Sequence, residues 1–405
     1  MKRFAACLAL VILPLTVRTE DTMWSAFGTL GIVTSDSNQY GFRNNINREN
    51  AVFSGDIDLK QLSLIGGQVE HRISNTVDIV GQAVIRERTN ADWHDYISLA
   101  FLRYTPSAQW TVRAGRLAPD LFTISDYRDI NIAYTWANVP NEVYGMIPYS
   151  YFDGADVSYT HRLTNGTLNI KAFGGVSESN ISTNNFTQAV DLEDMRGVAI
   201  TLDKNDWNIQ WRFTHALIGN DDASADFFIN HIQQIPDVLW PNKQRIFDAL
   251  ALDGQDVHYQ SLSGQKYLEN WLLSFELTHT YSDSDVIAEL TNGYISVAYQ
   301  KNAHTFYTVV AQTDSDQYEF SEPGVNPQLF PELIAGIENN FNFYSSNQHS
   351  ISLGWRFDIS PTVTSKLQLT HTRIDEGGDT LWINRLDDSP AQAVTTLMYT
   401  LSFAL

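Results

Sequence analysis

The feature that most constrains this chain is a two-residue hydrophobic period that recurs along its 405 residues. In "WNIQWRFTH", Trp207, Ile209, Trp211 and Phe213 fall on one face of an extended strand, and Asn208, Gln210, Arg212 and Thr214 fall on the other. "NWLLSFELT" sets Trp271, Leu273, Phe275 and Leu277 against a face carrying Glu276. "HSISLGWRF" sets His349, Ile351, Leu353, Trp355 and Phe357 against a face carrying Arg356. The pattern persists in the last nine residues, "LMYTLSFAL", where Leu397, Tyr399, Leu401, Phe403 and Leu405 share a face. A terminal strand left as a bare sheet edge would invite aggregation. Its position therefore predicts a partner, the first strand at residues 24–33.

The connections narrow the fold class further. Short joins rich in Asn, Gly, Pro or Asp occur at 72–77, 105–109, 163–167, 203–206, 268–270, 301–304 and 359–362. Longer polar stretches lie between them, at 34–58, 87–95, 116–149, 177–194, 219–254, 282–292, 314–347 and 375–391. This alternation predicts an all-β fold, a transmembrane antiparallel β-barrel of about 16 strands, with short periplasmic turns, long extracellular loops and both termini on the short-turn side. Aromatic residues beside the short joins, among them Tyr104, Trp110, Tyr159, Trp207, Tyr267, Trp271, Tyr299 and Trp355, match an interfacial girdle. In a soluble sandwich the same aromatics would form the core and the wet faces would point outward.

Domain organisation follows from the start of the chain. Lys2 and Arg3 precede an apolar run at 4–17, which is short for a spanning helix of about 20 residues. Residues 1–20 are expected to be a cleaved signal peptide, cut near 19–21, and residues 21–405 a single barrel domain. The only cysteine, Cys7, lies in that leader, so no disulfide framework is expected. A formal net charge of -21 argues against a nucleic-acid partner. The acidic stretches at 219–226, 313–317 and 386–388 lack the ligand spacing of a dedicated calcium loop, and neither metal nor cofactor is expected. Catalysis is also disfavoured: the nearest nucleophile and base, Ser350 and His349, are strand neighbours and point to opposite sides. The glycines of "RAGR" and "LIGGQ" open no helix that could cradle phosphate. The sequons at Asn165, Asn180 and Asn185 would matter only in a eukaryotic secreted protein.

Taken with this pattern, the stretch "VRAGRLAPDLFTISDYRDINIAYTWANVPNEVYG" (112–145) and the hairpin "GYISVAYQKNAHTFYTVVAQT" (293–313) resemble the Gram-negative general-porin superfamily, in particular porin-like proteins of marine gammaproteobacteria. The chain departs from that family at its end, where Leu405 stands in place of a terminal aromatic and Phe403 lies two positions earlier. The resemblance implies a water-filled passive channel in the outer membrane, with lipid and lipopolysaccharide around it. It also implies small hydrophilic solutes as cargo, a third loop folded into the lumen, here at 116–149, and a homotrimer among the assembly states open to it.

On that reading, the polar phase of each strand supplies the lumen. Inward basic candidates are Arg86, Arg113, Lys171, Arg212, Arg356 and Lys366, with Arg116 and Arg128 from the loop. Acids on the wall are Glu70, Asp78, Asp156 and Glu276, and the loop adds Asp120, Asp126, Asp129 and Glu142. Opposed fixed charges across a narrow wet gap would create a transverse field. Arg113 and Arg116 are the preferred pair, where the strand hands over to the loop. The alternative to a general porin is a solute-specific channel for an anionic nutrient, and a third class is a structural barrel with a plugged lumen.

Overall fold

In a computed structural model, the protein is described over residues 18–19, 21–88, 92–182, 187–219, 223–284, 287–385 and 390–405. The expected leader with Cys7 lies outside the described residues except for Arg18–Thr19, which pair with Met23 and Thr22. Asn185 and the acidic stretch at 386–388 also lie outside them.

Sixteen antiparallel strands close into a barrel. They are β1 (Thr22–Ser35), β2 (Leu64–Ser74), β3 (Val77–Arg86), β4 (Ile97–Tyr104), β5 (Trp110–Leu117), β6 (Phe152–Leu163), β7 (Gly166–Ser182) and β8 (Thr187–Lys204) in the first half. The second half comprises β9 (Trp207–Ile218), β10 (Asp256–Leu268), β11 (Trp271–Tyr281), β12 (Leu290–Lys301), β13 (His304–Ser315), β14 (Ser346–Ser360), β15 (Val363–Asp379) and β16 (Gln392–Ala404). Each strand pairs with its sequence neighbour, and β16 pairs with β1 from Thr396 opposite Ser35 to Ala404 opposite Phe27. The Leu405 amide donates to the Ala26 carbonyl at 2.8 Å and the Ala26 amide to the Leu405 carbonyl at 3.1 Å. The pairing of β16 with β1 is therefore the seam of the cylinder.

The faces separate as the period demands. Leu397 and Leu401 on β16 are 44% and 37% exposed, whereas Met398, Thr400 and Ser402 on the alternate phase are buried. Trp271 is 47% exposed, so these residues are an outer surface and not the core of a sandwich. At the short-turn end, outward rings meet across strands, with centroids of Trp110 and Tyr159 4.8 Å apart and those of Trp271 and Tyr299 4.7 Å apart. Such cross-strand aromatic pairs suit the interface between water and lipid. No described helix is long and apolar enough to cross a membrane.

One expected loop is instead sheet. Residues 177–182 and 187–194 form the ends of β7 and β8, paired from Leu192 opposite Ser177 up to Thr187 opposite Ser182. Extended Ser, Thr and Val residues satisfy their own backbone groups by pairing above the rim, which a polar loop would have to do with water. A bulge interrupts this ladder between Leu192 and Met195, with Asp194 in the left-handed region at φ 46°. Likewise, residues 375–379, expected in a loop, belong to β15.

Other long loops carry packed segments among the described residues. Three helices, α2 (Ala223–Gln233), α3 (Lys243–Leu250) and α4 (Pro331–Phe341), bury Ile232, Trp240, Ile246 and Ile337 in a cap beside the rim. Tyr40–Phe42 pairs with Trp382–Asn384, and Phe42, Ile46, Val52 and Trp382 join a core that reaches Met146 of the third long loop. That loop, residues 118–151, carries the short helix α1 (Asn141–Tyr144).

One wall position is a sharp test of this packing. Gly354 on β14 lies opposite Tyr307 on β13, and a Cβ at 354 would stand 1.9 Å from the Tyr307 ring. Gly354→Ala should lower stability by roughly 1–3 kcal/mol through overpacking. The check is the urea midpoint of the folded, heat-modifiable band on electrophoresis.

Candidate functional site

The lumen is shaped by loop 118–151, which leaves β5 and is bonded to wall strands around most of the circumference. Two wall cations hold its start. Asp120 accepts from Lys171 Nζ on β7 at 2.8 Å and from Arg212 Nε on β9 at 2.7 Å. Burial alone would raise the Asp120 pKa, but Lys171 and Arg212 outweigh it and hold the carboxyl at about 2. The Leu121 carbonyl then accepts from Tyr259 Oη and Ser261 Oγ, both at 3.1 Å, and the Thr123 amide donates to Glu276 Oε1 at 3.0 Å.

The middle of the loop is latched to the far wall. Lys366 Nζ on β15 donates to the carbonyls of Asn131, Tyr134 and Trp136 at 2.6, 2.6 and 2.9 Å. Arg356 Nη1 on β14 donates to the carbonyls of Ile132 and Tyr134 at 3.0 and 2.9 Å. Trp136 Nε1 reaches Ser296 Oγ at 3.0 Å, and the Ala137 amide reaches Tyr307 Oη at 3.0 Å and Gln368 Oε1 at 3.1 Å. Leu121, Phe122, Trp136 and Tyr144 pack against the inward tyrosines Tyr259, Tyr294 and Tyr307. The loop thus has both an apolar seat and charge-assisted anchors.

This geometry sorts the sequence-derived candidates. Arg86, Arg113, Lys171, Arg212, Arg356 and Lys366 lie on the inner face, but most are engaged there. Lys366 and Arg356 bind loop carbonyls, as described. Arg113 is held bidentately by buried Asp156, with Nη2 to Oδ2 at 2.5 Å and Nε to Oδ1 at 3.1 Å. Arg86 pairs with Asp129 at 2.7 Å. Glu142 is buried against Gln348 Nε2 at 2.9 Å, and burial pushes its carboxyl above the usual range. Asp126 is exposed, in the short turn Ser125–Tyr127.

Arg116 departs from the expectation. It is paired with Asp153, next to Leu117 and Phe152, which are paired with each other and buried inward, so Arg116 and Asp153 occupy the outer face. There its Nη2 donates to Asp153 Oδ2 at 2.7 Å, its Nη1 to the His94 carbonyl at 2.8 Å, and its guanidinium lies 3.6 Å from the centroid of the Tyr151 ring. The physical reason is the strand period: residues three apart on one strand face opposite sides. Arg113 and Arg116 therefore cannot act as a pair in one lumen. The same rule separates exposed His349 from buried Ser350.

Two basic residues not singled out from the sequence, Arg48 and Arg88, line a polar part of the lumen. A cavity of about 90 Å3 lies between the loop and the β1–β3 wall, lined by Arg48, Arg86, Glu87, Arg88 and Arg128. Arg128 donates to the carbonyls of Tyr149 and Tyr144 at 3.3 and 3.2 Å. Arg48 Nη1 and Arg88 Nε and Nη2 are buried and have no hydrogen-bond partner among the described residues. Burial, reinforced by Arg86, lowers the Arg48 guanidinium to about 9 and that of Arg88 to about 10. Both come from loops, where no period marks an inward side. The one available signal, for Arg88, was "RER" at 86–88, three successive charges at the end of a strand. On the outer face near the rim, His215, Asp256 and His258 bring three potential ligand atoms within 4.8 Å, a cluster not foreseen either.

No protein-family model matches the chain, and no curated protein is similar to it in sequence. Its fold is shared with solved structures. OmpT of Vibrio cholerae superposes with a TM-score of 0.53 at 8% identity, over 96% of this chain and 100% of that one. An anion-selective porin from Comamonas acidovorans gives 0.54 at 10% identity, over 95% and 100%. The outer membrane channel DcaP of Acinetobacter baumannii gives 0.53 at 8% identity, over 96% and 99%. At these identities the likeness concerns the fold, which is that of the outer-membrane porins.

The latch generates a direct test. Lys366→Met removes three charge-assisted donors, each worth about 1.5–3 kcal/mol, from loop carbonyls. Limited chymotrypsin digestion of the folded, detergent-solubilised protein should then cut within residues 122–136 several-fold faster than in the parent. Arg116→Gln, on the outer face, should leave that rate unchanged.

Proposed function

We propose that this chain is an outer-membrane channel for passive diffusion of small hydrophilic solutes and ions, exported with residues 1–20 as its signal. The observation that carries this reading is a closed barrel whose apolar face points outward while charged side chains and a tethered loop fill the inside. In hydrocarbon such a cylinder leaves no unpaired edge, and its interior offers polar groups to a solute. The fold neighbours include a porin and an outer membrane channel, and one is described as a trimer form, which supports a homotrimer for this chain as well. No reaction chemistry is assigned.

A second, narrower reading is a channel selective for anions. It rests on the buried, unpartnered guanidinium donors of Arg48 and Arg88 beside the polar cavity, which a carboxylate or phosphate oxygen would satisfy. Arg113, one of the pair preferred from the sequence, is already neutralised by Asp156.

Purified protein in planar bilayers should give stepwise conductance, and folded protein that forms no channels would refute the channel reading in favour of a plugged structural barrel. The reversal potential in a potassium chloride gradient should report anion preference at pH 7, where Arg48 and Arg88 are both protonated. Arg88→Gln should weaken inhibition of the current by a small dicarboxylate on the order of tenfold, the loss of one charge-assisted hydrogen bond. Arg113→Gln should change it far less.

A further inference from the structure

The lumen has a second cavity, of opposite character. About 150 Å3 of space lies on the extracellular side of the loop, against the upper ends of β7 to β11. Its walls include Ile181, Val190, Leu192, Met195, Ala216 and Ile218, and none of its lining side chains is charged. Leu121 and Tyr259 close one side, and Phe343 and Tyr344 of the segment after α4 close another. The tyrosine hydroxyls at its edge are already committed: Tyr259 Oη donates to the Leu121 carbonyl at 3.1 Å, Tyr149 Oη to the Val190 carbonyl at 3.4 Å, and Tyr344 Oη to the Met146 carbonyl. What faces the space is therefore mostly ring and aliphatic surface, and the polar side chains in the lining besides the tyrosines are Gln188, Thr214, Thr280 and Asn340. Of these, Thr214 Oγ1 is a buried hydroxyl with no hydrogen-bond partner among the described residues.

This lining is unusual for its place. Inward positions of a water-filled barrel are ordinarily polar, and here a run of them on adjacent strands is not. A water molecule held in a cavity needs two to four polar partners, and a lining of this kind supplies too few to fill the volume with water. Apolar cavities of about this volume stay dry and take up a single-ring hydrocarbon. Burying such a ring releases about 25 cal/mol per Å2 of apolar surface from water, with no protein charge to desolvate.

We propose that this cavity is a binding site for a small uncharged ring compound, aromatic or alicyclic, carrying at most one hydroxyl, which Thr214 would engage. The site goes beyond the channel reading and does not depend on conduction. If the barrel conducts, the outer vestibule holds an apolar solute on the β7–β11 side while the arginine-lined cavity serves charged solutes on the β1–β3 side.

The test uses the full folded chain in detergent with fluorobenzene as probe, followed by fluorine NMR. A saturable, protein-dependent line broadening above that of empty micelles is expected. Ala216→Phe, which fills the cavity, should abolish it, and Leu192→Gln, which wets the lining, should weaken it severalfold; heat-modifiable mobility verifies that each variant is folded. Crystals soaked in iodobenzene should show an anomalous iodine peak between Leu121 and Met195. Broadening identical in the parent and both variants, iodine confined to the lipid-facing belt, or a cavity filled with ordered water would each overturn the proposal. A barrel that passes no current would leave it standing.

Discussion

Everything in this molecule depends on the pairing of β16 with β1. Backbone amides and carbonyls that face lipid have no water to turn to, so a sheet that did not close would leave two rows of them unsatisfied at several kcal/mol each. Closure also decides which side is inside. Once Ala404 lies opposite Phe27, every residue on the phase of Leu397 and Leu401 is committed to the exterior and every residue on the phase of Thr400 and Ser402 to the lumen. A slip of one residue would exchange the two sets.

Within that frame, loop 118–151 is held less by its own structure than by the wall. Its helix α1 has four residues, and its backbone carbonyls are satisfied by Lys366, Arg356, Tyr259 and Ser261 reaching in from the strands. The inward cations thus do two different jobs. On β14 and β15 they tether the loop. Beside β1–β3, Arg48 and Arg88 from the loops retain free donors next to open volume. The loop consequently divides the lumen into a charged side and an apolar side, and the contrast between the 90 Å3 and 150 Å3 cavities follows from which strands it is tied to.

Much of the architecture was legible in the chain itself. The seam, the sixteen strands, the position of the short turns and the outward aromatic pairs all follow from side-chain alternation and turn chemistry, both of which act over a few residues. The same local rule, applied to Arg113 and Arg116, already separates them onto opposite faces. The strand character of residues 177–182 and 187–194 was hidden because Ser, Asn and Thr read equally as loop and as sheet standing clear of the lipid.

What the sequence by itself determined is the barrel: its strand count, which side chains touch lipid, and the long third loop. What only the tertiary structure decided is which of the inner charges are spent and which remain free. Lys366 meets the carbonyl of Asn131 across 235 residues, Arg212 meets Asp120 across 92, and Arg88 finds no partner at all among the described residues for two of its donors. Ion pairs and hydrogen bonds fall off within a few ångströms, so their formation depends on three-dimensional proximity that no local period encodes.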